Sequence, residues 1–186
     1  MEATEPKFHP KFRLFLILTI GLLVLDQVVK IASRNAVGGV EGKSISSLWT
    51  GVFELKLVYN EGIAFGMFQG AGVVLTPIAI IITGLAAWMS YKNRNEPKVV
   101  HITMALLASG AIGNLYDRLF HGKVTDMFWI RLIDFPVFNI ADVCITAAGT
   151  LMVLGALSEM FTKKPAEEPA LEAEADMKAD SGAEAP

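Results

Sequence analysis

Apolar and polar positions fall into long blocks along this chain. Four apolar stretches, about 12–32, 71–91, 99–119 and 138–161, are separated by short polar segments. A bilayer core of roughly 30 Å needs ~20 helical residues to cross it, so each stretch predicts a transmembrane helix. The first is free of charge from Leu14 to Leu25 and follows Lys7, Lys11 and Arg13, the order of a signal peptide. Asp26, Gln27 and Lys30 come after it where a small-x-small cleavage site would stand, which predicts a retained helix. The second is uncharged from Ala71 to Tyr91 and ends at Lys92-Asn93-Arg94. The third starts after Glu96-Pro97-Lys98, and the fourth stops at Lys163-Lys164. Between the first two, Glu54 and Lys56 alternate with Phe53, Leu55 and Leu57. That period of two predicts a strand with one apolar face, within a small β element at about 45–66 lying on the membrane surface. The segment from Phe120 to Val137 reads as a short loop carrying Asp126, Arg131 and Asp134. The expected fold is an all-α membrane protein: four transmembrane helices in one domain, 1–162, with a small extracytoplasmic β-sheet element.

Composition agrees with this pattern. Of 186 residues, 53% are hydrophobic, with a mean hydropathy of +0.46, against about 45–50% apolar for a soluble domain even with glycine counted. A soluble enzyme, a disordered chain and a disulfide-stapled module are excluded. The net charge of −3 owes most to residues 163–186, whose three lysines and seven acids predict a disordered cytoplasmic tail. The charge gives no footprint for nucleic acid. Cys144 is the only cysteine, and His9, His101 and His121 have no ligand spacing, so neither a metal site nor a cofactor is expected. Basic residues flank the spans at Lys7, Lys11 and Arg13, at Lys92, Arg94 and Lys98, and at Lys163 and Lys164. With four crossings these groups share one side, so both termini are expected in the cytoplasm.

An ionisable side chain within a span costs about 2.5–3.5 kcal/mol on insertion scales and demands a reason. Asp142 is read about four residues into the fourth span, with Asn139 three residues earlier on the same face and Asp126 ahead of the same helix. Asp26 and Lys30 stand at i,i+4, acid before base, the favourable order for a structural ion pair. Ser109, Gly110 and Gly113 let a neighbouring helix come close, and Asn114 and Arg118 share a face. These polar groups gather on the outer side. Two carboxylates confined together share a proton, and such a dyad can hydrolyse a peptide bond without a metal, with asparagines and Arg118 holding the substrate backbone. Two rival readings are a Ser109/Lys30 nucleophile pair and a non-enzymatic proton or ion pathway or structural subunit. The inner halves of spans two and four offer only Thr83 and Thr150 as polar groups, which suits a pocket better than a pore.

Four runs together are distinctive: Asp26-x-x-x-Lys30; Asn60-x-Gly62-x-Ala64-Phe65-Gly66; Gly110-Ala111-x-Gly113-Asn114-x-x-Asp117-Arg118 with Gly122-x-Val124-x-Asp126; and Phe135-Pro136-x-Phe138-Asn139-x-Ala141-Asp142. In this order, over about residues 12–160, the chain resembles the lipoprotein signal peptidases (signal peptidase II). It departs from the family pattern at Ser109, where glycine is usual, and at Met127, where phenylalanine is common. The resemblance implies a bacterial inner-membrane aspartyl peptidase that cuts prolipoproteins before a diacylglyceryl cysteine, with its site toward the outer leaflet. It implies Asp126 and Asp142 as the catalytic pair, Asn60, Gly62, Asn114, Arg118 and Asn139 as substrate-binding residues, and Asp26 with Lys30 as their support. The partners it implies are lipidated prolipoproteins and membrane lipid.

Overall fold

The structure is a computed structural model and describes residues 9–62 and 72–162. Position 71, the expected strand end at 63–66 with Ala64-Phe65-Gly66, and the tail 163–186 lie outside the described residues. The elements run α1 (Pro10–Ala36), β1 (Ser44–Trp49), β2 (Phe53–Asn60), α2 (Gly72–Lys92), α3 (Lys98–His121), β3 (Val124–Ile130), a 3-10 turn (Arg131–Ile133) and α4 (Ile140–Thr162). Among the described residues four helices are long and apolar enough to cross a membrane. Each coincides with an expected span to within a few residues. The chain divides into two compact units, Met1–Met152 and Val153–Pro186. The described part of the second consists of the last turns of α4.

α1 opens with Pro10 in its first turn and with His9 Nδ1 accepting the Phe12 N–H at 3.2 Å. Phe12 and Phe15 then pack with Ala86 of α2 and Met104, Ala105 and Ala108 of α3 in one buried cluster. His101, fully buried, meets Ser90 Oγ through Nδ1 at 2.9 Å. The His9 ring stands edge-on to His101 with centroids 5.7 Å apart, so the fold gathers two histidines that look scattered in the sequence. Toward the other end of α3, small residues bring α4 in. A Cβ at Gly110 would lie 2.5 Å from the Ala141 carbonyl oxygen and 2.6 Å from Ile145 Cγ1.

The three strands form an antiparallel sheet in the order β1-β2-β3. β3 corrects the expectation of a plain loop between the third and fourth spans. Val124-Thr-Asp-Met-Phe-Trp-Ile is rich in β-branched and aromatic side chains, and pairs with β2 with Val58 opposite Asp126. Gly122, left-handed at φ 72°, ends α3 with its N–H on the Arg118 carbonyl and turns the chain into β3 within two residues. A second correction concerns α4, which begins at Ile140 and not at 138. Asn139 is therefore its cap and not part of its face, and Asp142 sits in the first turn, shallower than the sequence suggests.

Gly110→Ala is expected to force α3 and α4 apart and destabilise the protein by about 1–3 kcal/mol. Gly21, also helical, has nothing within 4 Å of the position a Cβ would take, so Gly21→Ala leaves stability unchanged or slightly raised. Thermal unfolding of both variants in detergent checks the contrast.

Candidate active site

α4 begins with a reciprocal cap. Asn139 Oδ1 accepts the Asp142 N–H at 2.9 Å, and Asp142 Oδ2 accepts the Asn139 N–H at 3.1 Å. This is the capping-box arrangement, in which two otherwise orphaned helix donors are satisfied by each other's side chains. The remaining Asp142 oxygen, Oδ1, accepts from Asn114 Nδ2 of α3 at 2.8 Å. Both oxygens thus face N–H donors, which suits a carboxylate, and the first turn of a helix favours negative charge.

Asn139 also reaches β3. Its Nδ2 donates to Asp126 Oδ1 at 2.6 Å and to Asn114 Oδ1 at 3.0 Å. Asp126 is 2% exposed. Burial, helped by the nearby Asp142 charge, pushes its carboxyl up to about 7, against hydrogen bonds from Asn139 and Asn60 that pull it down. One asparagine therefore ties both acids together and caps the helix that carries one of them.

Arg118 extends the site outward along α3. Its guanidinium donates to the Gly62 carbonyl at 3.2 Å, and Asn60 Oδ1 accepts the Gly62 N–H at 3.0 Å in a tight turn after β2. A cavity of about 870 Å³ opens here. Asn60, Asn114, Arg118 and Asp142 form its polar end. Phe138, Val143, Ala147 and Leu151 line its apolar wall, with Thr146 and Thr150 one and two turns beyond Asp142 on α4.

Behind the acids lies a buried ionic cluster. Lys30 is 0% exposed, and its ammonium lies 2.9 Å from Asp26 Oδ2, 3.5 Å from Asp117 Oδ2 and 3.1 Å from Asn114 Oδ1. Asp26 Oδ1 accepts the Ala141 N–H of α4 at 3.0 Å. A Cβ at Gly113 would sit 2.7 Å from Asp26 Oδ2, so only glycine there admits the acid.

The structure thus gathers Asp26, Lys30, Asn60, Gly62, Asn114, Arg118, Asp126, Asn139 and Asp142 into one constellation. Ser109 Oγ bonds the Leu106 carbonyl of its own helix, while the Lys30 ammonium meets Asp26, Asp117, Asn114 and the Gly113 carbonyl. Three participants had no role in the sequence reading: Asp117, Thr125, whose N–H Asp117 accepts at 2.8 Å, and Arg34, which donates to Thr125 Oγ1 at 2.7 Å. The signal for Asp117 was its position at the end of a span, where a charge requires a partner. Among the described residues no three His, Cys, Asp or Glu side chains converge as metal ligands.

Comparison with known proteins gives a consistent result. The family model described as signal peptidase (SPase) II matches residues 18–158. The lipoprotein signal peptidase of Clostridium acetobutylicum is 35% identical over 141 residues, covering 74% of this chain and 88% of its own. That of Gloeobacter violaceus is 38% identical over 160 residues, covering 85% and 88%. A bacterial membrane enzyme structure determined by the in meso method at 2.3 Å resolution superposes with a TM-score of 0.72 at 27% identity, covering 82% of this chain and 93% of that one. A second such structure, at 1.9 Å, gives a TM-score of 0.66 at the same identity. These likenesses do not favour an ion pathway. The chain belongs to the signal peptidase II family, multi-pass membrane enzymes that remove signal peptides from prolipoproteins as aspartic-type peptidases.

Proposed function

We propose that Asp126 and Asp142 are the catalytic pair of this peptidase. The observation that carries the reading is Asn139, which donates to Asp126 while capping the helix turn that holds Asp142; of the three, Asp142 lines the cavity, beside Asn60, Asn114 and Arg118. Asp142 acts as the base that takes a proton from water as the water oxygen attacks the scissile carbonyl carbon. Asp126, about half protonated near pH 7 and more fully so below it, donates to the carbonyl oxygen as it becomes tetrahedral. Collapse breaks the C–N bond. The proton held by Asp142 leaves with the amine, and the tetrahedral hydroxyl returns one to Asp126. Arg118, Asn60 and Gly62 hold the extended substrate backbone, with Asn114 and Asn139 fixing the acids.

The substrate is a prolipoprotein whose cysteine already carries diacylglycerol, cut just before that cysteine. The apolar wall descending from Asp142 supports this reading, since acyl chains keep the scissile bond near the lipid interface and each buried CH₂ adds about 0.8 kcal/mol of affinity. The basic residues beyond the span ends, Lys92, Arg94 and Lys98, support cytoplasmic termini in a bacterial inner membrane. The acids and the sheet then face the outer leaflet. The membrane domain comprises residues 1–162, and the acidic tail 163–186 takes no part in catalysis.

Asp126→Asn and Asp142→Asn should each abolish cleavage of a lipidated prolipoprotein while leaving the protein folded in detergent, and EDTA should not inhibit the wild type. Activity in either variant overturns the pair. The raised pKa of Asp126 fixes the sign of two pH effects. Turnover should fall as pH rises through about 7, where the proton donor is lost. Because the folded state binds this proton more tightly than the unfolded chain, Asp126 weakens the fold progressively between about pH 4 and 7. Asp126→Asn should therefore melt above the wild type at pH 8, with the gap closing toward pH 5. On matched precursors that differ only in cysteine lipidation, the lipidated form should be strongly preferred; equal rates would exclude lipid delivery of the bond.

A further inference from the structure

Asp117 and Thr125 are both fully buried, and neither lines the cavity, yet they stand directly behind the acids. Thr125 immediately precedes Asp126, and Ala141 immediately precedes Asp142. Each of these preceding residues gives its backbone N–H to a carboxylate: Thr125 to Asp117 Oδ2 at 2.8 Å, and Ala141 to Asp26 Oδ1 at 3.0 Å. The Lys30 ammonium lies between the two receiving carboxylates, 2.9 Å from Asp26 and 3.5 Å from Asp117. A third arm runs from Lys30 through Asn114 to Asp142 itself, in steps of 3.1 and 2.8 Å.

β3 explains why such a clamp is needed. It is an edge strand, paired only with β2 in the sheet, so alternate N–H groups along its free side require other acceptors. Thr125 N finds Asp117, and Met127 N finds the Phe138 carbonyl at 3.1 Å. The two clamped positions bracket Asp126. Successive strand side chains point to opposite faces, so fixing Thr125 against α3 fixes where the Asp126 carboxyl emerges on the other side. Arg34 reinforces the clamp by donating to Thr125 Oγ1 at 2.7 Å while standing 3.9 Å from Asp117 Oδ1.

We propose that Asp117 is a positioning residue for the peptidase reaction, and that Asp26, Lys30 and Asp117 form one charged brace that sets the separation of Asp126 and Asp142. The proposal rests on the reading of those two acids as the catalytic pair. It implies that losing Asp117 misplaces one acid without touching the surface that binds substrate.

The test uses the full-length protein in detergent with a lipidated prolipoprotein, assaying Asp117→Ala and Asp117→Asn. A displacement of about 1 Å in a catalytic group costs on the order of a hundredfold in rate, so Asp117→Ala should lose about that factor in kcat, with KM changed by less than about threefold. Asp117→Asn keeps an acceptor for the Thr125 N–H and should recover at least about tenfold over the alanine variant. Should Asp117→Ala not fold, Asp117→Ser replaces it, since a serine hydroxyl is too short to reach Thr125 while remaining polar. Ser90→Ala, which removes the hydrogen bond to His101 far from the acids, supplies a variant of lowered stability with kcat retained. A kcat for Asp117→Ala equal to the wild type, an asparagine variant no better than the alanine one, or a loss confined to KM overturns the brace. Asp126→Asn is assayed in parallel. Turnover there overturns the catalytic pair itself, whereas inactivity there beside an unimpaired Asp117→Ala overturns the brace alone.

Discussion

An ammonium group held entirely out of water must meet acceptors on every side, and Lys30 imposes that requirement on the fold. Its partners come from α1 and α3: Asp26, Asp117, Asn114 and the Gly113 carbonyl. The two carboxylates also reach other elements: Asp26 accepts from the start of α4 through its other oxygen, and Asp117 accepts from β3 through the oxygen that faces Lys30. Buried ion pairs are poor sources of stability, because desolvation offsets much of the attraction, while removing one partner costs about 3–5 kcal/mol. What such a cluster supplies is geometry. Four elements, α1, α3, β3 and α4, are compelled to meet at one point, which is where the acids are.

The rest of the bundle is assembled by weaker means. Lipid tails are as apolar as leucine, so a membrane helix gains little by turning apolar side chains toward its neighbours. Close approach and polar contacts take over that role. Gly110 lets the Ala141 carbonyl of α4 come against α3, and Gly113 leaves room for the Asp26 carboxylate. Beyond Ala105 and Ala108, small residues give way to the stacked rings of Phe12 and Phe15, with the Ser90–His101 hydrogen bond beside them. One end of α3 is therefore packed with aromatic and small apolar groups and the other with charge. That gradient along a single helix is what separates a site from its anchorage.

The helices were legible in the sequence because their lengths and lack of charge answer directly to bilayer thickness. β2 was legible because Glu54 and Lys56 break an apolar run with a period of two. β3 was not: at Val124–Ile130 a buried threonine, aspartate and methionine follow one another with no polar alternation. Its edge is satisfied by Asp117 and Phe138 instead of by a second strand, a matter of tertiary contact. The site residues carried by the motif runs do converge. The role of Asp117 stayed hidden because its partners, Lys30 and Thr125, lie in two other elements. The placement of Asp142 missed by a couple of residues for a related reason. Phe138 belongs to an isolated bridge with Phe128, and an apolar residue in such a bridge looks like the first residue of a span.

Asn139 has a consequence for where the exchangeable proton resides. Its Oδ1 is committed to the Asp142 N–H, so turning the amide over would present an NH₂ group to that N–H and leave a helix donor unsatisfied. The amide orientation is thereby fixed by the cap, and Nδ2 must face Asp126 Oδ1 as a donor. An oxygen accepting at 2.6 Å from an amide has no use for a proton pointing the same way. Where Asp126 serves as the proposed proton donor, its proton is therefore kept off Oδ1. The same cap holds Asp142 with one oxygen on Asn139 N and the other on Asn114 Nδ2, so neither acid can rotate freely. On the proposed reading of these two residues as the catalytic pair, backbone and amide donors hold both carboxyls in place before a substrate arrives.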